Sequence, residues 1–327
     1  MPRDLGKSSL ANRYQIQHET LRITVIKRLE ELLQIQDKST ALGEEHEADM
    51  KRQQSLALSA KSGMDWDTYD DVTDDLDDDR PKYDPFGDLY KQRFLWYHDV
   101  YAATIDKASV PARINKFFTV VPFEHPGNSM QGKYAYKSLA TRLQRVRKAL
   151  DAEVASWATE GLIAAKEERG VATNFQRQFE QQRNNCKSSL SPIELSLVKN
   201  NPLVWNLTFF GKANSDLYGA TINVRIHFSV DFPREQPRVF VLTPLFHHRI
   251  SKTGGVLCYF PHKPESVQDH VETIMAAIEE ENPFYDPRTL VNPEAATLLW
   301  GDESQKKTYR RKLRRSVEDS MEATDEF

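Results

Sequence analysis

Between Thr221 and Phe228, apolar Ile222, Val224, Ile226 and Phe228 alternate with Thr221, Asn223, Arg225 and His227. A period of two sends the two sets of side chains to opposite faces of an extended chain, so this is a strand with one buried face. Strand-like runs over 204–210, 220–228 and 238–242 are bounded by Gly211, Pro233 and Pro237. Three successive strands with short connections form an antiparallel meander. A helix predicted over 174–184 and a Ser191-Pro192 turn precede them. Helical patterns follow at 267–281, 293–300 and 303–321. Strands followed by helices define an α+β fold, with the helices packed on one face or end of the sheet.

The chain before Gly170 has a different texture. Ile16, Ile23, Ile26, Leu29 and Leu33 recur at near-helical spacing within 14–36, and residues 37–62 are polar and weakly patterned. The block over 65–84 holds Asp70-Asp71, Asp74-Asp75 and Asp77-Asp78-Asp79, and like charges at that density favour an extended, solvated linker or an arm for a basic partner. Over 86–107, Tyr90, Phe94, Tyr97 and Tyr101 recur at helical spacing, an aromatic stripe of the kind that packs into a core. Phe117 to Val121 reads as a short strand. Leu139, Leu143, Val146, Leu150, Val154, Trp157 and Leu162 line one long helix over 134–168, ended by Gly170. The organisation expected is a helical or flexible segment (1–64), an acidic linker (65–85), a helical accessory region (86–169) and an α+β domain (170–327).

Composition narrows the chemistry. The net charge of -4 gives no overall attraction to nucleic acid or acidic membranes. Two cysteines, Cys186 and Cys258, build neither a disulfide framework nor a Cys-rich zinc site, and they suit a reducing compartment, cytosol or nucleus. No secretory signal and no bilayer-spanning run is expected. His247, His248, His262 and His270 match no metal-ligand spacing. Gly254-Gly255 lacks the Lys-Ser/Thr of a phosphate loop and reads as a turn. The basic run Arg310 to Arg315 reads as a helix face that is solvated or paired with Glu318 and Asp319.

The order of short motifs from Trp205 onward resembles the ubiquitin-conjugating (E2-type) family. Trp205 and Gly211 stand at the ends of the family's first strand, and Phe228-Ser229-Val230-Asp231-Phe232-Pro233 resembles its Phe-Pro-x-x-Tyr-Pro stretch. Gln236-Pro237-Arg238-Val239 and Thr243 follow in register. His247-His248-Arg249-Ile250 falls on the family's His-Pro-Asn-Ile, and Gly255-Val256-Leu257-Cys258 on the run into its catalytic cysteine. Asn282 to Pro287 resembles its Asn-Pro-x-Asp-Pro loop, and Val291 to Ala296 the start of its next helix. Each motif is weak alone, and their order and spacing carry the likeness over most of 170–327.

The resemblance implies a UBC-like fold in which Cys258 carries ubiquitin or a ubiquitin-like modifier as a thioester. Sulfur suits that task because the thiolate is strongly nucleophilic and a thioester stays reactive toward amines. By the same likeness Asp286 orients the acceptor amine and His247 holds the loop by hydrogen bonding. No cofactor and no metal are implied, since ATP is spent by the activating enzyme. Arg249 replaces the family's Asn, a donor to the developing oxyanion. Either Arg249, itself a donor, takes that role or the reaction proceeds without it. Arg234 replaces a Phe, and Phe260-Pro261-His262-Lys263-Pro264 lacks the family's Trp, so the ligase or substrate adaptor is expected to dock otherwise than a standard RING partner. The rival expectation is an inactive variant of the same fold that serves as a binding or scaffold module. Cys186 has no such context and is expected to be structural.

Overall fold

A computed structural model describes residues 25–35, 86–110, 135–188 and 193–325. The acidic block, the strand expected over 117–121 and most of the first helical pattern lie outside the described residues. Of that pattern, 25–32 are helical, with Ile26 and Leu29 buried.

Among the described residues the sheet has four strands, not three: β1 (Ile193–Leu197), β2 (Val204–Phe210), β3 (Thr221–His227) and β4 (Arg238–Val241), antiparallel in the order β1-β2-β3-β4. The strand absent from the sequence reading, β1, pairs Leu195 with Leu207 and Leu197 with Trp205. The alternation read over 221–228 sets the registers: Val224 faces Leu207 on one side and Val241 on the other. Ile222, Val224, Ile226, Leu207 and Trp205 are fully buried on the inner face. The helices α3 (Gly170–Ser188), α4 (Val267–Glu279), α5 (Pro293–Leu299) and α6 (Glu303–Asp325) supply Phe175, Phe179, Ile274, Ile278, Ala295, Tyr309 and Leu313 to the same core. Pro293 at the start of α5 gives up an N–H that would be unpaired there, and Asn292 caps the helix by accepting from the Ala295 N–H.

Gly170 opens α3 rather than merely ending its predecessor. Val171, Phe175, Phe179, Gln182 and Cys186 recur every three or four residues along α3, and all are at least partly buried. That stripe carries the helix beyond both ends of the predicted 174–184.

Two further helices form a second layer: α1 (Gly87–Ala108) and α2 (Tyr136–Lys166). Leu143, Val146, Leu150, Val154 and Trp157 of α2 are buried, as the periodicity predicts. Leu162 is exposed, because continuing the stripe by four and by seven residues from Trp157 reaches Gly161 and Ala164, which take the covered positions. These helices gather a separate apolar cluster with Ile26, Leu29, Phe94, Leu95 and Trp96. That cluster extends onto the α+β unit through Val256, Cys258 and Val291, with Phe240 packed against it. Phe240 and Arg238 alternate with inward Val239 and Val241, so they face away from the inner core and meet α2. There the Arg238 guanidinium sits 5.1 Å from the Trp157 ring centroid. The Asn201 side chain donates to the Ala158 carbonyl at 2.6 Å. A Cβ on Gly161 would come within 2.3 Å of the Asn201 Oδ1, so only glycine lets the α2 backbone approach this closely.

Candidate active site

Cys258 lies on a short extended segment clasped from both sides. The Leu257 N–H donates to the Val239 carbonyl at 3.0 Å, and the Cys258 N–H donates to the Arg249 carbonyl at 2.9 Å. Just upstream, the Val241 N–H donates to the Gly255 carbonyl at 2.8 Å. Downstream, the chain is anchored by Tyr259. The His270 Nε2 faces the Pro264 carbonyl at 3.0 Å, and a carbonyl only accepts, so Nε2 carries the proton. The Nδ1 of His270 is therefore the acceptor for the Tyr259 hydroxyl at 2.8 Å.

A third loop closes the site. Asp286 caps the turn Pro287–Thr289 through the Arg288 N–H, and the Arg288 guanidinium grips the Asp286 carboxylate at 2.8–3.1 Å. That grip holds the Asp286 carboxyl below its ordinary range. Asp286 is therefore an anion at neutral pH, suited to orienting a cation rather than to storing a proton. The same guanidinium lies 4.8 Å from the Phe260 ring centroid. The Cys258 thiol donates to the Arg288 carbonyl at 3.4 Å. Asp286, Arg249 and Arg288 all act on the thiol electrostatically.

Of the residues singled out in the sequence, Cys258 and Asp286 thus meet across the Arg288 backbone. Arg249 shares their field while its Nη2 is bound to Glu280 at 2.7 Å. Its buried Nε has no hydrogen-bond partner among the described residues. His247 is fully buried, and its Nδ1 accepts from the Arg249 N–H at 3.2 Å, which braces the loop. Burial and the Arg249 charge push His247 down to about 3 and, with His247 added, His248 to about 2, so both rings are neutral at physiological pH. Among the described residues no three His, Cys, Asp or Glu side chains converge as a metal site. Cys186 is buried on α3, away from all of this.

The sequence names no residue that covers the thiol. Cys258 is 0 % exposed and belongs to the α1–α2 cluster, not to the core between sheet and helices. The Tyr97 hydroxyl of α1 donates to the same Arg288 carbonyl, at 2.5 Å. Trp96 meets Phe260 edge-on at 5.4 Å between centroids. Asp88 pairs with Arg238 and accepts from the Gln236 N–H at 3.0 Å, and Asp99 accepts from the Thr253 N–H at 2.8 Å. The aromatic spacing of 86–107 signalled a packed helix. Its partner surface is 150 or more residues away in sequence for most of these contacts, and no local pattern encodes that.

Burial pushes the Cys258 thiol up to about 12, against an ordinary 9.0, despite the nearby arginines. The folded chain therefore keeps a proton that the unfolded chain releases near pH 9. Stability from this group is complete below that pH and is lost as pH rises toward 12. At pH 10 the loss is roughly 1.4 kcal/mol. Cys258→Ser removes the titration, so melting followed by circular dichroism at pH 8 and pH 10 should show a larger drop for the natural protein than for the variant. Equal drops would contradict the burial of the thiol.

The fold and site define a class: an α+β unit with one cysteine at the junction of three loops on the sheet margin. A family model described as ubiquitin-conjugating enzyme matches residues 174–316. The chain is 26% identical over 130 residues to "Ubiquitin-conjugating enzyme E2 2" of Candida glabrata, covering 40% of this chain and 76% of that protein. It is 28% identical over 121 residues to "Ubiquitin-conjugating enzyme E2 3" of Arabidopsis thaliana, covering 37% and 79%. A solved structure titled "Novel Ubiquitin-Conjugating Enzyme" aligns at 25% identity and a TM-score of 0.36, over 46% of this chain and 96% of that one. The likeness to ubiquitin-conjugating enzymes therefore lies over residues 174–316, the α+β unit.

Proposed function

We propose that this protein carries ubiquitin or a ubiquitin-like modifier as a thioester on Cys258 and passes it to an acceptor amine. The observation that carries the reading is the placement of the Cys258 thiol against the Asp286–Arg288 turn, inside a domain of the conjugating family. In the first step the Cys258 thiolate attacks the carbonyl of the modifier held on the activating enzyme, a new C–S bond forms, and the activating enzyme's thiolate departs. In the second, a neutral amine attacks that carbonyl and forms a C–N bond, its proton passes to solvent, the C–S bond breaks, and Cys258 leaves as thiolate. Asp286, held ionised by Arg288, orients the incoming ammonium. Arg249 serves the oxyanion by releasing Glu280, or the step runs without it.

The partners on this reading are the modifier, an activating enzyme, and a ligase or adaptor that docks without the usual RING contact. Nucleic acid, membrane and cofactor have no part. Two free cysteines suit the cytosol or nucleus.

One observation favours a second reading. A fully buried thiol held protonated is a poor nucleophile, as in an inactive binding module of the same fold. A charging assay separates the two. The full chain is incubated to completion with activating enzyme, ATP and a panel of modifiers, then run on a non-reducing gel beside Cys258→Ser. A thiol-sensitive adduct that vanishes or turns thiol-resistant in the serine variant is expected. No adduct with any modifier favours the binding module.

A further inference from the structure

We infer that α1 is an autoinhibitory strap: in the closed form its Trp96–Tyr97 corner covers the Cys258 thiol, and loading requires α1 to lift from the α+β unit. This rests on the conjugating function proposed above and adds its regulation. Sγ has no contact with solvent, whereas attack on a thioester carbonyl needs a free approach along one side of the sulfur. The covering side is supplied by α1. Tyr97 Oη and Cys258 Sγ converge on one carbonyl, that of Arg288, and Trp96 wedges against Phe260, two residues beyond the cysteine.

The seam is of a kind that opens. Beside the apolar contacts of Trp96 with Phe260 and of the cluster with Val256 and Val291, α1 is held by polar anchors: Asp88 to Arg238 and the Gln236 N–H, Tyr97 to Arg288, Asp99 to the Thr253 N–H. Each of these groups finds a substitute partner in water once exposed. On both sides of the seam buried polar atoms have no partner among the described residues, namely Nε2 of His98 on α1 and Nε of Arg238 on β4. Opening hydrates these at once. The core between sheet and helices shares no member with the α1–α2 cluster, so α1 can leave without disturbing Trp205 or the strand registers.

The test uses the full chain and a readout independent of any modifier. Tyr97→Phe combined with Asp99→Ala deletes two anchors at partly exposed positions, and Trp96→Ala serves as a second, independent opening. Alkylation of Cys258 by iodoacetamide is followed by peptide mass spectrometry, with Cys186, buried on α3, as the internal gauge of general loosening. The expected result is a rise of about tenfold or more at Cys258 in the opened variants with Cys186 unchanged, and a matching rise in the rate of thioester formation. Alkylation of the natural protein at the opened rate overturns the strap, as does a parallel rise at Cys186 in both variants, or charging equally fast with the strap intact. A selective rise at Cys258 without charging by any modifier upholds the strap as a cover and overturns the conjugating function instead.

Discussion

Trp205→Ala is expected to cost about 3–5 kcal/mol, enough to shift the folding equilibrium a hundredfold or more. Trp205 is the largest side chain in the core with no solvent contact. It meets Phe179 edge-on at 5.3 Å and Phe228 at 5.0 Å, and its Nε1 donates to the Pro202 carbonyl at 2.6 Å. Truncation leaves a void between α3 and β2 that the paired strands on either side of β2 cannot collapse into, and it strips the Pro202 carbonyl of a donor. Since natural domains hold only about 5–15 kcal/mol in all, much of the stability goes with one residue. Urea unfolding followed by circular dichroism reads the loss directly. Phe284→Ala is the control: Phe284 is 94 % exposed, so its removal should lie within about 0.5 kcal/mol of zero. A Trp205 loss below about 1 kcal/mol would show that this core tolerates a vacancy.

Gly255→Ala is the second large effect, and it reaches the site. Gly255 has φ +65°, and a left-handed conformation costs an alanine about 1–2 kcal/mol by itself. The added Cβ would also stand 2.2 Å from the Val241 carbonyl oxygen, a backbone atom that belongs to β4 and cannot swing aside. Relief means pulling residue 255 off the strand, which breaks the Val241 N–H to Gly255 bond and shifts the Val256–Cys258 segment it introduces. The total is on the order of 3 kcal/mol. The variant should unfold at a lower urea midpoint, and any thioester on Cys258 should form more slowly than with Gly161→Ala, which disturbs only the α2 contact. Natural stability in Gly255→Ala would mean that the turn reforms at no cost.

The sheet was readable where one face is buried and the other wet, because β2, β3 and β4 carry a period of two that needs no partner to be seen. β1 carries the same alternation, with Ile193, Leu195 and Leu197 set against Glu194 and Ser196, and it went unread. It is stabilised by pairing to β2, a tertiary term that local pattern lacks. Cys258 and Asp286 were legible through the order of motifs. What lies on them was not. Arg249 finds Glu280 31 residues on, and Arg314 finds Asp216 98 residues back, in place of the Glu318 and Asp319 that helical spacing suggests. Charges are promiscuous in sequence, and only the fold chooses among them. Tyr97 is the clearest instance: its spacing marks a packed helix, and nothing near it announces Arg288 as the acceptor.

The length of α2 acts as an angular amplifier. Its C-terminal third is pinned on the sheet by Trp157, Ala158 and Gly161, while its N-terminal half bears the weight of α1. From Gly161 back to Tyr136 the rod measures about 37 Å, so a tilt of about 10° at the pinned end sweeps the far end through about 6 Å. A displacement of that size is larger than the gap across a hydrogen bond or an aromatic contact. A shift of a fraction of an ångström where α2 touches Arg238 and Asn201 is thereby geared up at the tip, and a pair of spin labels, one near Tyr136 and one on β2, would read it as a distance.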